Sequence, residues 1–328
     1  MTVSNLVGQL RNRSTSYLVR WWAAWKVDWL KPEPFDWRAL IVIVAGAFIL
    51  LPLTSRLPMV GWEWPLHVGG AFNDTYPPWL QFAIKPFTIW HWRTGLSLLY
   101  GGFMIAVAIL TLKAASGQTL ISKFSAAVLA LCTPLVPMLL WEGNLAMVVM
   151  IGMAVLPFGI PWALVQPHLA AFGLLARRKW TIWALVFGLI TLLIWGLWPL
   201  QTFGLLGKST GHPIALGWIA MGWPTLVIGL LMLPFTNANP RRLMAVGTFL
   251  LPYVMAVHMI LLVPAVGEVK GWRRLLLFGL AWFTLITPAL YVVWAKYLTM
   301  LFPFAVWWLL RPRKNDGAAD EGIAASQI

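Results

Sequence analysis

A 328-residue chain with ten Asp and Glu residues and five His has few groups for acid–base work. Several of them fall close together. Glu63 stands between Trp62 and Trp64, and Asp74 lies in "FNDTYPPW", just ahead of Tyr76 and the Pro77-Pro78 corner. His67, His91, Lys85 and Arg93 share that stretch, and "WEGN" brings Glu142 next to Gly143 and Asn144. A carboxylate so placed can take a proton from an acceptor hydroxyl. Each group also has a plain structural reading. Asn73-Asp74-Thr75 suits an Asx turn, and Glu63 suits an interfacial acid whose side chain reaches water. Glu142 is expected to open a helix, where a carboxylate complements the dipole.

Two histidines lie in apolar surroundings. His258, in "LLPYVMAVHMILLVP", follows Pro252 by six residues. An ionisable group at membrane depth is costly and marks function by default. The competing reading is a neutral imidazole bonded to a carbonyl freed by the proline. His168 follows Pro167 directly. A haem held by His168 and His258 is conceivable, but each sits beside a helix-breaking proline or on a separate broken helix. No pair among the five histidines has the close helical spacing of a metal site, so neither a metal nor another cofactor is expected. Phosphate-loop, dinucleotide, nucleophile-elbow and HExxH signatures are missing.

The elements that must carry these groups are set by composition. The chain is 60% hydrophobic and 10% charged, with 23 Trp. That much apolar surface has to face lipid, and indole rings suit the membrane–water boundary. The predicted fold class is all-α: a polytopic transmembrane bundle of about 8–10 membrane helices, some broken or re-entrant. Candidate spans are 38–57, 95–112, 124–141, 145–163, 181–200, 214–235, 275–295 and a short 298–310, each judged against the roughly 20 residues a crossing helix needs. Prolines interrupt 161–176 and 243–266, which read as broken or re-entrant helices. Three parts follow: a basic arm over 1–38 with a helix on the membrane surface, a transmembrane domain over 39–310, and a polar tail over 311–328 expected to be disordered. The arm is basic and polar, unlike a cleavable signal peptide.

The formal net charge is +14, which could suggest nucleic acid. The basic residues instead cluster between spans, at Arg177/Arg178/Lys179, Arg241/Arg242, Lys270/Arg273/Arg274 and similar places. With 243–266 re-entrant, all these clusters share one side, as cytoplasmic loops do. Topology then accounts for the charge. The expected location is a bacterial inner membrane, multi-pass, with a cytoplasmic N-terminus and membrane lipids as partners. Glu63, Asp74 and Glu142 fall on the outer face.

Four stretches in order resemble the polytopic glycosyltransferases of the C-type fold, specifically the mannosyltransferase-like family 87 group. They are "YPPWLQFAIKPFTIWHW", "GNLAMVVMIGMAVL", "LVQPHLAAFGLLARRKW" and "LLPYVMAVHMILLVPA". The resemblance implies an enzyme that uses a polyprenyl-phosphate sugar on the outer face. Carried over, Asp74 or Glu63 is the catalytic base. His258 contacts the donor phosphate, with Lys85 and Arg93 facing it. Tyr76, Glu142, Asn144 and His168 complete the substrate site. The chain departs from the pattern at three places. Gln166 stands for the family's Lys, Val257 replaces the first of two His, and the Gln after Gly143 is missing. The alternative is therefore a non-catalytic structural subunit of a larger membrane complex, with other membrane subunits as partners. A transporter ranks last, because no half of the chain repeats in the other.

Overall fold

The structure is a computed structural model, and it describes residues 37–58, 61, 63–68, 76–200, 215–236, 238–286 and 294–310. Side chains of 66–68 are outside the description. The arm helix, Asp74 and the C-terminal tail expected from sequence lie outside the described residues.

The fold is mostly helical. Among the described residues, three helices are long and apolar enough to cross a membrane: Trp37–Thr54, Trp92–Ala114 and Arg178–Trp195. A fourth is added if Leu120–Leu131 and Leu135–Glu142, bent by 40° at their break, form one span. The remaining apolar runs that the sequence offers as spans are cut into shorter pieces. Run 145–163 becomes Ala146–Ala154 and Ile160–Ala163, with Pro157 and Pro161 at the break. Run 214–235 becomes Trp218–Met221 and Trp223–Met232, divided at Gly222 ahead of Pro224. Run 243–266 becomes Pro240–Leu250, a 3-10 helix Ala256–Leu262, and Ala265–Glu268. Each proline removes a backbone donor and obstructs the preceding turn, so apolarity continues where the helix does not.

Helix Trp92–Ala114 is the centre of the packing. Trp37–Thr54, Leu120–Leu131, Ala146–Ala154 and Ala265–Glu268 all lie against it. Small residues let the backbones approach: a Cβ on Gly101 would lie 3.1 Å from the Ala47 Cα. Close contact of this kind is how apolar helices associate where burial from water supplies no drive. The outward faces stay apolar. Ile41, Phe48 and Ile49 on the first helix are exposed, as are Leu185, Leu189 and Leu193 on Arg178–Trp195. Two short strands, Ala215–Leu216 and Val254–Met255, pair antiparallel with Ala215 opposite Met255. This pairing fixes the chain immediately before the His258 segment.

Polar groups gather at the two ends of the central helix, about 34 Å apart at 1.5 Å per residue. At its C-terminal end the Arg274 guanidinium donates to the Val266, Val269 and Ser122 carbonyls, to the Ser122 and Ser125 hydroxyls and to Gln118 Oε1. Gln118 donates in turn to the Gly267 carbonyl. Beside this network Glu268 pairs with Arg241 and accepts from Asn239. The other two described acids, Glu63 and Glu142, collect toward the other end, with His168 and His258 adjoining.

Candidate functional site: an embedded acid, amide and histidine cluster

Glu63 opens the short helix Glu63–Val68, and a turn between two other helices holds it. Helix Leu135–Glu142 ends at Gly143, whose φ of 74° is left-handed. The missing Cβ also makes room, since one at Gly143 would sit 2.9 Å from Trp64 Cβ. Gly61 N–H donates to the Trp141 carbonyl at 2.7 Å, docking the loop there. Asn144 then works in two directions. Its Nδ2 donates to Glu63 Oε2 at 3.0 Å, and its Oδ1 accepts from Ala146 N–H at 2.9 Å. One amide therefore starts helix Ala146–Ala154 and holds an acid 81 residues away. Both partners are buried, with Glu63 9% exposed and Asn144 2%.

The sequence reading placed Glu142 at a helix start. The structure corrects this: Glu142 is the last residue of its helix. Gly143 provides the left-handed stop that ends a helix, and the Asn144 side chain takes over the capping of the next one. Glu142 faces the cluster from that terminus, and its charge and that of Glu63 act on each other.

Tyr76 joins the group from the Pro-Pro corner. Gln166 Nε2 donates to its hydroxyl oxygen at 3.4 Å. Burial first, then the charge of Glu63, pushes the Tyr76 phenol well above its ordinary value of 10.0. It remains a neutral hydroxyl, able to donate and to accept. Tyr253 and Glu142 also lie within electrostatic reach of it.

The two embedded histidines meet. His168, on helix Pro167–Leu174, stacks on His258 with ring centroids 5.1 Å apart and planes 19° from parallel. Rings stacked this way leave no place for a haem iron between them. His258 Nδ1 accepts from Met255 N–H at 3.3 Å, so its neutral ring carries the proton on Nε2. The sequence reading had the imidazole bonded to a carbonyl freed near Pro252. It is bonded instead to a donor, because residue three of the Ala256–Leu262 helix reaches back over the N-cap amide. Gln166, His168 and His258 line a pocket with Ala146, Val149 and Leu261. Its volume is about 10 Å³, room for roughly one water.

The structure thus brings Glu63, Tyr76, Glu142 and Asn144 together, with His168 and His258 adjoining through Gln166. It does not bring in Lys85 or Arg93. Both are exposed, and the Arg93 guanidinium stands 5.1 Å over the Trp92 ring. Asp74 lies outside the described residues. Gln166, Tyr253 and Trp64 belong to the cluster without having been singled out as site residues. Gln166 had one signal in the sequence, a polar amide immediately before Pro167 inside an apolar run.

On the other side of helix Ala146–Ala154 lies a groove of about 380 Å³. Its walls are almost wholly apolar, with Ile43, Ala47 and Phe48 on one side and Leu98, Val148 and Ile151 on the other. One nine-residue helix therefore divides the polar cluster from an apolar trough. Comparison with protein-family models, characterised proteins and solved structures gives no match.

Proposed function

We propose that this chain is an integral membrane glycosyltransferase that takes a sugar from a polyprenyl-phosphate donor on the outer face of a bacterial inner membrane. In this reading the shorter helices complete a multi-pass bundle around the three long ones, and the N-terminus is cytoplasmic. Glu63 is the base. It removes the proton of an acceptor hydroxyl as that oxygen forms a bond to the anomeric carbon. The carbon–oxygen bond to phosphate breaks, and its electron pair leaves with the polyprenyl phosphate. Asn144 holds the Glu63 carboxylate in place, and the Tyr76 hydroxyl lies beside it. The groove behind helix Ala146–Ala154 suits the prenyl chain, whose only demand is apolar contact.

The observation that carries this reading is the buried Glu63–Asn144 contact. A carboxylate taken out of water in an oily protein is costly, and the chain supplies an amide to keep it there. The test is incubation of the purified full-length protein with labelled polyprenyl-phosphate mannose and an acceptor extract, alongside Glu63→Gln and Asp74→Asn. Transfer by the wild type that is lost in Glu63→Gln supports the proposal.

One observation favours the second reading, a structural subunit of a membrane complex. The pocket beside the histidines holds about one water, too little for a sugar ring. An absence of transfer together with stably co-purifying membrane proteins would favour the subunit.

A further inference from the structure

Gln166 is 5% exposed, and its Oε1 has no hydrogen-bond partner among the described residues. His168 Nδ1 is in the same condition. Both residues line the pocket that also touches His258. A buried polar atom without a partner forfeits its hydration and gains nothing in return. Two such atoms on one pocket, with room for a single oxygen, describe a site already shaped for its ligand.

The chemistry names that ligand. Gln166 Oε1 can only accept. His168 Nδ1 donates in one tautomer and accepts in the other. A hydroxyl matches both groups: its O–H donates to Gln166, and its oxygen accepts from His168 Nδ1–H. An ammonium would meet an apolar wall of Ala146, Val149, Leu169 and Leu261 with no counter-charge lining the pocket. A phosphate or carboxylate would be repelled by the Gln166 oxygen and exceeds the volume.

We propose that Gln166 and His168 form a hydroxyl-reading subsite that takes one hydroxyl of the transferred sugar, with a single water in its place when no donor is bound. The His258 ring stacked on His168 fixes the imidazole plane, and the Tyr76–Gln166 bond fixes the amide. Tyr76 also ties the subsite to the Glu63 end of the cluster. The proposal rests on the glycosyltransferase reading for its sugar, but the pocket's demand for a hydroxyl does not.

Two measurements on the full-length protein in lipid nanodiscs test it. The first is a double-mutant cycle on thermal unfolding with Gln166→Met and His168→Phe, which keep volume and stacking. A shared hydroxyl couples the two positions, so the double variant loses clearly less stability than the two losses added together. Additive losses, or single variants as stable as the wild type, mean an empty pocket and overturn the proposal. The second compares polyprenyl-phosphate mannose with its monodeoxy analogues. One analogue should bind the wild type about tenfold more weakly, and that penalty should vanish in Gln166→Met. Coupling in the cycle with deoxy penalties unchanged by Gln166→Met leaves a structural water only, and sinks the sugar subsite. Coupling without binding of any donor instead removes the glycosyltransferase reading, and the sugar subsite with it.

Discussion

The side chain of Asn144 donates to Glu63 at 3.0 Å while accepting the first free amide of the helix that follows it. A single residue thus joins the placement of an embedded acid to the start of a buried helix. Asn144→Ala removes both bonds, one of them to a buried carboxylate. The expected loss is about 2–3 kcal/mol of stability, read as a lower midpoint in detergent unfolding. Asn144→Asp keeps the helix cap but sets a carboxylate against Glu63. Its destabilisation should be larger at about pH 8 than at about pH 5, because protonation of either group relieves the repulsion. An alanine variant as stable as the wild type would show that the amide holds nothing.

Gly143 is the second fixed point of the same turn. Alanine there must adopt a φ of 74° and press on Trp64. Gly143→Ala should cost about 1–3 kcal/mol and shift the fluorescence of the buried Trp64 toward that of a hydrated indole. Gly117→Ala makes a control, since its φ is also positive but nothing lies within 4 Å of an added Cβ. It should cost less and leave the Trp64 signal alone. Equal costs for the two would mean that the Trp64 contact contributes nothing.

Tyr76 gives a pH prediction with a definite sign. Burial and the Glu63 charge raise its folded value above the ordinary 10.0. The neutral phenol therefore contributes stability that is whole below about pH 10 and is lost as pH rises beyond it, where the unfolded chain gains by ionising. Between about pH 9 and pH 11 the wild type should lose thermal stability more steeply than Tyr76→Phe. Parallel curves would place Tyr76 in a more hydrated setting than the structure gives it.

Arg274 and Arg273 are neighbours with opposite expectations. Arg274 is 5% exposed and its fork is spent on three carbonyls, two hydroxyls and an amide oxygen. Lysine cannot reproduce that geometry. Arg274→Lys should cost about 3 kcal/mol or more, since several charge-assisted bonds fail together. Arg273 is half-buried and stands over the Trp272 ring, so Arg273→Ala should cost no more than about 1 kcal/mol. A reversed order in chemical unfolding would contradict the network.

How much of this was legible beforehand depends on the kind of signal. Helical class and an apolar exterior follow from composition, and the structure has both. The long spans Trp37–Thr54 and Arg178–Trp195 lie close to the runs 38–57 and 181–200. The apolar runs with internal prolines were harder to read, because hydropathy is blind to where a backbone ladder stops. Glu63, Glu142, Asn144, His168 and His258 could be singled out because each is polar in oily surroundings. Their pairing could not, since Glu63 and Asn144 meet only once a left-handed Gly143 has turned the chain. Gln166 was noticed as a departure from a family pattern rather than as a site residue. What gives it meaning is an empty hydrogen-bond position, which only three-dimensional packing reveals.

The measurement that bears most directly on the account is the turnover of labelled polyprenyl-phosphate mannose by the wild type and by Glu63→Gln in nanodiscs. Glutamine preserves the shape and can still accept from Asn144, so folding is spared while the base is removed. The account predicts transfer by the wild type and a fall in kcat of about 10²–10⁴-fold in the variant, with KM little changed. Equal turnover by the two proteins would contradict it.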